Sequence, residues 1–322
     1  MSGPLVSDLG ERAIIERIRA RLPPPPSFVV VGIGDDAAVV EPERNALEVI
    51  TTDSQVEGVH FDLAFVTPGD VGHKALAVNL SDVAAMGAAP RTALLSLVLP
   101  SSWRVADLEA LVDGMAALAQ RSKVAIIGGN IARSPGPLVV DMTVTGSVHR
   151  RRILTRDGAR AGDDLYVTGA LGGAALGLQA LRADQGAASN AAACYRRPEP
   201  RVRFGMLLGR NRAARACIDL SDGLADGVRQ IGTASGLGAI IDGDAVPLWS
   251  GATLQDALCG GEDYELLFAV SPKLTRRLHS VRRLAKELAV TKIGKLTASC
   301  TFLLERGGKA EKLPEGFAHF GS

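Results

Sequence analysis

The chain has 322 residues, enough for two domains of ordinary size. Its 36 basic and 35 acidic residues nearly cancel, which argues against a protein that coats nucleic acid. A composition of 47% hydrophobic and 22% charged residues excludes global disorder. No apolar stretch is long enough to span a membrane, and the charged N-terminus is no secretory signal. We therefore expect a cytoplasmic protein without a nucleic-acid or membrane partner.

Cysteine spacing excludes several metal and redox motifs. The four cysteines lie more than twenty residues apart in sequence, so CxxC zinc and dithiol sites are excluded. Reduced, buried thiols are the expected state of Cys194, Cys217, Cys259 and Cys300.

The first half of the chain alternates predicted helices and strands. An amphipathic helix over residues 8–21 ends at Pro23–Pro26. In chain order there follow strands Phe28–Ile33 and Leu47–Thr52, helix Val71–Gly87, strand Thr92–Leu99, helix Ala106–Arg121, and strands Val124–Ile127 and Leu138–Val148. The basic segment RRRILTRDGARAGD then begins after His149. We place the domain boundary there, which gives domains 1–149 and 150–322.

The second half continues the mixed pattern. In chain order we predict strand Asp164–Thr168, helix Leu171–Arg182, a loop over 183–200, helix Val202–Ala214, strand Ala216–Leu220, a helix beginning within SDGLADGVRQIG, strands Ala239–Asp242 and Leu266–Val270, and helix Lys273–Ala289. Because strands and helices alternate irregularly, the expected fold class is mixed α/β (α+β) in two domains.

The segment FVVVGIGDDA imitates a dinucleotide-binding fingerprint, with Gly32, Gly34 and Ala37 in the required spacing. Two observations argue against that function. The carboxylates of Asp35 and Asp36 would repel a pyrophosphate at a helix N-terminus. The short connection to the next strand also contains a proline and leaves little room for a crossover helix.

Other nucleotide and hydrolase motifs are absent, including the Walker A motif, the HRD and DFG kinase signatures, GxSxG and HExxH. Instead, acidic residues recur beside small and apolar ones in GIGDDAAV, TTDS, NLSD, IDLSDGL and GGEDYEL. Each acid taken singly could be a helix cap or turn residue. Taken together, they favour Mg²⁺, which prefers carboxylate oxygens and bridges them to substrate phosphates.

The motifs GIGDDAAV, TTDSQVEGVHF, HKALAVNLSDVAAMGAAP, VTGALGGAALGL, IDLSDGL and GGEDYELLF resemble the thiamine-monophosphate kinase family, in that family's order. They span residues 32–268, and the ending EGFAHF resembles the family's C-terminal segment. GIGDDAAV and IDLSDGL are shared with the wider aminoimidazole ribonucleotide synthetase-like superfamily. The combination of VEGVHF, NLSDVAAMG and GGEDYELLF is more specific to the kinase.

The resemblance implies an enzyme that transfers the γ-phosphate of ATP to thiamine monophosphate, giving thiamine diphosphate and ADP. It also implies a two-domain fold with ATP, metal binding and dimerisation in the N-terminal domain, whose sheets pair across a homodimer. ATP would be the co-substrate, and several Mg²⁺ ions would serve as cofactors.

Site residues follow from the motif positions. Mg²⁺ would be held by Asp36, Thr51, Asp53, Asp82, Asp219 and Asp222, of which Asp36, Asp82 and Asp222 are the predicted catalytic residues. ATP would contact Thr52, Gly129, Asn130, Arg156 and Ser221. Thiamine monophosphate would contact His60, Glu262 and Phe317. Structural roles remain open for His60, for Arg156 as a linker charge, for Glu262 as a loop residue or cap, and for Phe317 as a buried aromatic residue.

One position departs from the family pattern. In the segment GGNIARSPG, Asn130 stands where the family usually has an aspartate that binds metal. An amide oxygen can ligate Mg²⁺ but carries no charge, so the number of metal ions stays open. Arg133 lies near in sequence.

The acid-rich residue set suits phosphoryl transfer to a phosphate. A phosphate acceptor is mostly dianionic at neutral pH, so it needs metal ions that cancel repulsion more than it needs a base. We expect direct transfer without a phosphoenzyme. The alternatives are another ATP-using member of the superfamily and a non-catalytic nucleotide-binding relative.

Overall fold

The computed structural model describes residues 3–183 and 190–316. The helices are α1 (Glu11–Arg21), α2 (Pro68–Ala85), α3 (Val105–Ser122), α4 (Gly173–Arg182), α5 (Asn190–Arg196), α6 (Val202–Asn211), α7 (Leu224–Ser235), α8 (Leu254–Cys259) and α9 (Thr275–Leu284). The strands are β1 (Val29–Val31), β2 (Val39–Val40), β3 (Leu47–Val56), β4 (Ala89–Pro100), β5 (Ala125–Ser134), β6 (Val139–Val148), β7 (Asp164–Thr168), β8 (Ala216–Asp219), β9 (Gly238–Asp242), β10 (Leu266–Val270), β11 (Val290–Thr297), β12 (Phe302–Arg306) and β13 (Lys309–Lys312).

The chain divides into two compact units. The N-terminal unit contains the residues up to Val83 together with Ala89–Ser147, and the C-terminal unit contains Ala84–Ala88 and the chain from Val148 onward. Helix α2 therefore begins in one unit and ends in the other.

The N-terminal unit is built on a four-stranded sheet in the order β3-β6-β4-β5. Strand β4 pairs antiparallel with β6 and parallel with β5. Helices α2 and α3 cross closely, since a Cβ at Gly72 would lie 1.9 Å from the carbonyl oxygen of Leu111. On the outside, Arg21 of α1 bridges Glu109 and Asp113 of α3 at 2.6 Å each.

The β1–β2 hairpin shows why the dinucleotide fingerprint does not apply. Val29 and Val31 of β1 pair antiparallel with Val40 and Val39 of β2, so the GIGDD segment joins the two strands of a hairpin. A Rossmann crossover would need a helix there, followed by a parallel strand. This outcome confirms the objection raised from the sequence.

The C-terminal unit is built on a seven-stranded sheet in the order β13-β12-β9-β11-β7-β10-β8. Alternate residues of β10 enter two different cores, because successive strand residues face opposite sides of a sheet. Leu267 and Ala269 pack with residues of α7 and α8. Leu266 and Phe268 pack on the opposite face, with residues of α6 and α9.

Several sequence predictions need correction in this unit. The segment 183–200, expected to be a loop, contains α5, in which Ala192 and Tyr195 are buried. The helix expected over Lys273–Ala289 ends at Leu284, and β11 begins six residues later. Strand β5 extends to Ser134, well beyond the predicted end at Ile127, because parallel pairing with β4 continues to that residue.

Within the described residues, no helix is both long enough and apolar enough to cross a membrane.

Candidate active site

The clearest acidic arrangement of the N-terminal unit joins β3 to α2. Thr51 and Asp53 lie two residues apart on β3 and are both half-buried. The Thr51 hydroxyl donates a 2.5 Å hydrogen bond to Oδ2 of Asp82, on the last turn of α2. The carboxyl group of Asp53 lies beside that of Asp82, close enough for the charge of Asp82 to act on it. The structure thus brings together three of the six predicted metal ligands.

Electrostatics show the cost of placing these two acids together. Burial, followed by the charge of and hydrogen bond to Asp82, raises the pKa of Asp53 to about 6 from an ordinary value of 3.8. Two adjacent carboxylates and a hydroxyl form a donor set of hard oxygens. Mg²⁺ in phosphate-handling sites uses one or two carboxylates and completes its shell with water and phosphate oxygens. The three residues fit such an ion.

The wider metal set is not gathered into one group. Across residues 3–183 and 190–316, no group of three or more His, Cys, Asp or Glu side chains is arranged to hold a metal ion. Asp36 is exposed between β1 and β2, and its backbone N–H donates to Oδ1 of Asp35 at 2.9 Å.

The residues predicted to contact ATP in this unit lie on the two outer strands of the sheet. Thr52 is on β3, where its hydroxyl donates to the carbonyl oxygen of Met142 at 3.0 Å. Gly129 and Asn130 are on β5, at the opposite edge of the sheet, with β6 and β4 between β3 and β5. A Cβ at Gly129 would lie 1.8 Å from the carbonyl oxygen of Leu95, so the pairing of β4 with β5 requires glycine there.

His60 follows β3, and both its imidazole ring and its carbonyl oxygen accept hydrogen bonds. Its Nδ1 accepts the backbone N–H of Val56 at 3.2 Å, and its carbonyl oxygen accepts Nζ of Lys74 at 3.1 Å. An accepting Nδ1 places the proton of the neutral imidazole on Nε2. Nε2 is then a hydrogen-bond donor.

In the C-terminal unit the IDLSDGL motif forms the end of β8 and the start of α7. Asp219 ends β8 and is 7% exposed. The Ser221 hydroxyl donates to Oδ2 of Asp222 at 3.0 Å. Gly223 then takes φ +92°, and a Cβ at that residue would lie 2.5 Å from the carbonyl oxygen of Leu258. The glycine thus permits the sharp entry into α7.

Arg156 belongs to the same neighbourhood. Its Nη1 donates to Oε1 of Gln230 at 2.5 Å, and Gln230 in turn donates to Asp226. Burial raises the pKa of Asp226, and the charge of Asp222 adds to that effect. The sequence prediction did not include Asp226, although its position four residues after Asp222 could have indicated that the two acids lie close together.

The GGEDYEL segment lies against the IDLSDGL loop. The backbone N–H of Glu262 donates to the carbonyl oxygen of Ser221 at 2.6 Å, and that of Tyr264 donates to Leu220 at 3.0 Å. Glu262 has φ +62°, which is uncommon for a residue with a side chain. Glu262 is therefore a loop residue in a strained conformation.

The C-terminal segment returns to the same loop. Arg229 of α7 donates to the carbonyl oxygens of Leu313 and Pro314, the second at 3.1 Å. A Cβ at Gly316 would lie 2.5 Å from Cβ of Asp226 and 2.9 Å from the carbonyl oxygen of Asp222. The chain thus reaches the Asp222 loop at Gly316, and Phe317 lies outside the described residues.

Comparisons with known proteins agree with this arrangement of motifs. The N-terminal domain of AIR synthase related proteins matches residues 34–148, and the C-terminal domain matches residues 160–304. The thiamine-monophosphate kinase of Bacillus subtilis is 37% identical, over 83% of this chain and 86% of the relative.

Solved structures extend the comparison to the fold. The crystal structure of thiamine-monophosphate kinase from Stenotrophomonas maltophilia K279a has a TM-score of 0.82 and 36% identity, covering 92% of this chain and 97% of the other. The structure described as AaThiL complexed with AMPPCP and TMP has a TM-score of 0.76 and 31% identity, covering 97% and 98%. These matches confirm the mixed α/β two-domain fold and the family resemblance seen in the motifs. The chain belongs to the thiamine-monophosphate kinase family, within the AIR synthase related proteins.

Proposed function

We propose that this protein transfers the γ-phosphate of ATP to thiamine monophosphate, forming thiamine diphosphate and ADP. The observation that carries the proposal is the whole-chain similarity to a relative complexed with AMPPCP and TMP. AMPPCP has a methylene group in place of the oxygen that bridges the β- and γ-phosphates. The relative therefore holds an analogue of ATP together with TMP.

The reaction needs positioning and charge neutralisation more than proton transfer. An oxygen of the acceptor phosphate forms a bond to the γ-phosphorus as the bond to the β,γ-bridging oxygen breaks, and ADP leaves. The acceptor monoester is mostly dianionic at neutral pH, so no side chain has to remove a proton. We therefore infer direct transfer, in which acidic residues hold cations and do not act as bases.

We propose Asp36, Thr51, Asp53, Asp82, Asp219 and Asp222 as the residues that hold Mg²⁺. The proximity of Thr51, Asp53 and Asp82 supports the assignment. The pKa of Asp53 is raised there, and a bound cation would lower it by stabilising the ionised carboxylate. Bound Mg²⁺ supplies charge neutralisation of the phosphates. Asn130 offers only a neutral amide oxygen, so the number of ions remains part of the test.

The two substrates would meet different parts of the chain. We propose that ATP contacts Thr52, Gly129, Asn130, Arg156 and Ser221. The planar fork of Arg156 suits a phosphate, and Gln230 holds it in place at 2.5 Å. For thiamine monophosphate we propose His60, whose Nε2–H is a donor, together with Glu262 and Phe317.

We also propose that the N-terminal domain, residues 1–149, pairs with a second copy through its sheet. One face of this sheet exposes Ile50 by 66% and Leu94 by 41%. A row of paired polar residues crosses the same face, namely Ser54, Asp141, Ser96 and Asn130. An open sheet face with large apolar side chains is typical of an interface.

The proposed pairing is tested by sedimentation. We expect a dimer for the wild-type protein and a monomer for Leu94→Asp. A monomeric wild-type protein would contradict the pairing, whatever the activity. We propose residues 150–322 as a second, C-terminal α/β domain, whether or not the N-terminal domains pair.

We also propose a cytoplasmic location, since all four cysteines fall within the described residues and are free thiols.

The experiment for the activity measures ADP and thiamine diphosphate formation from ATP and thiamine monophosphate across a Mg²⁺ titration. Asp82→Asn is the test variant. Asp113→Asn, which removes only a surface partner of Arg21, is the matched control. We expect equal, Mg²⁺-dependent formation of both products, lost in Asp82→Asn alone. ATP binding without product would favour a non-catalytic relative, and ADP formation without thiamine diphosphate would favour another superfamily activity.

A further inference from the structure

A five-residue turn, Gly261–Glu265, has an unusual backbone. Gly261, Glu262 and Tyr264 take φ of +69°, +62° and +50°, and two of these residues carry side chains. A residue with a side chain is strained at such a φ, so a turn of this kind persists only where its surroundings hold it. We call these residues the 261–265 turn. Its two remaining residues, Asp263 and Glu265, are the acids that hold it.

Asp263 binds the start of α4. Its Oδ2 accepts the backbone N–H of Gly172 at 2.7 Å, and its Oδ1 accepts that of Ala174 at 3.1 Å. The N–H of Gly173 points at the same carboxylate. Three backbone donors at the positive end of a ten-residue helix form the usual environment of a capping carboxylate. Here the cap comes from 89 or more residues further along the chain.

Glu265 anchors the other end of the turn. It is 4% exposed and accepts the Thr168 hydroxyl at 2.5 Å and Nε of Arg201 at 2.8 Å. The chain passes close by at Gly169, where a Cβ would lie 2.0 Å from Oε1 of Glu265. The segment from Thr168 to Ala174 therefore wraps around both carboxylates.

The opposite side of the turn carries the proposed substrate-binding loop. The N–H groups of Glu262 and Tyr264 donate to the carbonyl oxygens of Ser221 and Leu220. In addition, a Cβ at Gly261 would lie 2.6 Å from the carbonyl oxygen of Ser221. The turn is thus fixed on one side by Asp263 and Glu265 and supports the Ser221 loop on the other.

We propose that Asp263 is a positioning residue, which fixes the 261–265 turn to the N-terminus of α4 and thereby sets the placement of Glu262 for substrate binding. The link to substrate rests on the proposed function, whereas the link from Asp263 to the Glu262 backbone does not. Asp263 itself points away from Glu262, into the helix terminus, and is not a catalytic residue.

At neutral pH the ionised carboxylate of Asp263 accepts N–H groups of α4 with both of its oxygens. Burial raises the pKa of Asp263 to about 6, against the effect of its backbone donors. The charged and titratable groups around it are Glu265 on its own turn, Cys194 on α5 and Arg201 before α6. The folded turn therefore binds this proton more tightly than an opened turn would, and opening of the turn should cost more as pH falls through about 6.

The test variant is Asp263→Asn, and its matched control is Asp163→Asn. Asp163 is also buried, accepts the backbone N–H of Arg160 at 2.8 Å and pairs with Arg215 at 3.0 Å, away from the turn. We expect Asp263→Asn to raise KM for thiamine monophosphate about tenfold while kcat falls less. Asp163→Asn should lose comparable stability and keep the wild-type KM.

A second measurement does not depend on activity. Hydrogen exchange of peptides covering 169–176 and 260–266 reports the donors of α4 and the Glu262 N–H together. We expect Asp263→Asn to speed exchange in both peptides at pH 7.5. In the wild-type protein the closed turn binds the Asp263 proton more tightly than an opened turn would, so exchange corrected for intrinsic rates should be slower at pH 5.5 than at pH 7.5, and Asp263→Asn should lose this difference. If Asp263→Asn does not fold, two other measurements test the same link between Asp263 and the turn. One is hydrogen exchange in Asp263→Ser, whose hydroxyl still accepts one N–H, and the other is the comparison of the wild-type protein at the two pH values.

The outcomes separate the two hypotheses. Unchanged exchange in 260–266 alongside faster exchange in 169–176 would overturn the positioning role, even in an active kinase. Equal kinetic effects of Asp163→Asn and Asp263→Asn would also overturn it. Coupled exchange together with a wild-type KM in Glu262→Gln would keep the link between Asp263 and the turn and refute only the substrate assignment of Glu262.

Discussion

Thr51 and Asp82, thirty-one residues apart in sequence, are joined by a 2.5 Å hydrogen bond from the hydroxyl to the carboxylate. The bond connects the middle of β3 to the last turn of α2. It therefore fixes the orientation of one carboxylate of the acidic pair before any cation arrives.

Thr51→Val should remove this bond with little change in side-chain volume. A hydrogen bond to a charged group contributes about 1.5–3 kcal/mol, so we expect a loss near the lower end for this partly buried pair. The half-saturating Mg²⁺ concentration for activity should rise as well. Urea unfolding and a Mg²⁺ titration measure the two effects. Thr297→Val, which removes a hydroxyl from the C-terminal unit, should change neither.

Asp53→Asn should alter how stability depends on pH in the metal-free protein. The folded-state pKa of Asp53 is raised from 3.8 to about 6, so the folded chain binds its proton more tightly than the unfolded chain. The free energy of unfolding must then fall as pH rises through that window. In the presence of a chelator we expect the variant to be more stable than the wild type at pH 8, with no such difference below pH 4. When Mg²⁺ is supplied instead, we expect the variant to lack Mg²⁺-dependent activity. Parallel stability curves for the two proteins would contradict this reading of the pair.

Arg201→Gln should destabilise the chain strongly. The variant leaves Glu265, whose side chain is 6% exposed, without its ion partner. Breaking a buried pair from one side costs about 3–5 kcal/mol. Arg203→Gln is the matched control, because its partner Glu287 has a side chain that is 64% exposed, and exposed pairs contribute about 0–1 kcal/mol. Urea unfolding of both variants checks the difference, and equal losses would refute it.

Gly129→Ala should disrupt the parallel pairing of β4 with β5. The added methyl group would lie 1.8 Å from the carbonyl oxygen of Leu95, and the backbone of one strand would have to move. We expect a loss of about 1–3 kcal/mol or more, accompanied by a higher KM for ATP. In Gly136→Ala the new methyl group meets only Oγ of Ser134 at 3.5 Å, so this control should keep its stability. Thermal unfolding with ATP kinetics would contradict the steric argument if the two variants behaved alike.

Deletion of residues 317–322 tests the proposed stacking of Phe317 on thiamine monophosphate. The anchors of the C-terminal segment, from Arg229 to Leu313 and Pro314, remain in the shortened chain. We expect KM for thiamine monophosphate to rise roughly tenfold, KM for ATP to stay the same and the melting temperature to change little. Phe317→Ala should reproduce most of the effect. A shortened chain with wild-type kinetics would remove Phe317 from the substrate site.

Strong periodicity made much of the fold predictable. The strands Asp164–Thr168 and Leu266–Val270 have the predicted limits, because each is a short apolar run bounded by turn residues. Helix α8 and strands β11, β12 and β13 were missed. Their sequences are polar at many positions, and their conformations depend on neighbours such as β9, which pairs with both β11 and β12.

The site was predictable only in part, for a related reason. Motifs identified Thr51, Asp53 and Asp82 as a group, and the structure brings them into contact. No pattern of spacing reveals that Asp263 caps a helix about ninety residues earlier, because that relation exists only once the sheet has formed. The assignment of each site residue to metal, ATP or thiamine monophosphate stays a prediction.

Helix α2 sets a rule for recombining this protein with its relatives. Its last residues, with Met86 and the neighbouring loop, belong to the C-terminal unit, where the carbonyl oxygen of Ala84 would lie 2.0 Å from any Cβ at Gly205. Leu154 also donates its N–H to the carbonyl oxygen of Met86 at 3.1 Å. A chimera that switches parents at Val148 would therefore take the end of α2 from one parent and the α6 surface at Gly205, against which it packs, from the other. Such a chimera therefore requires glycine at position 205 in the parent that supplies the C-terminal part.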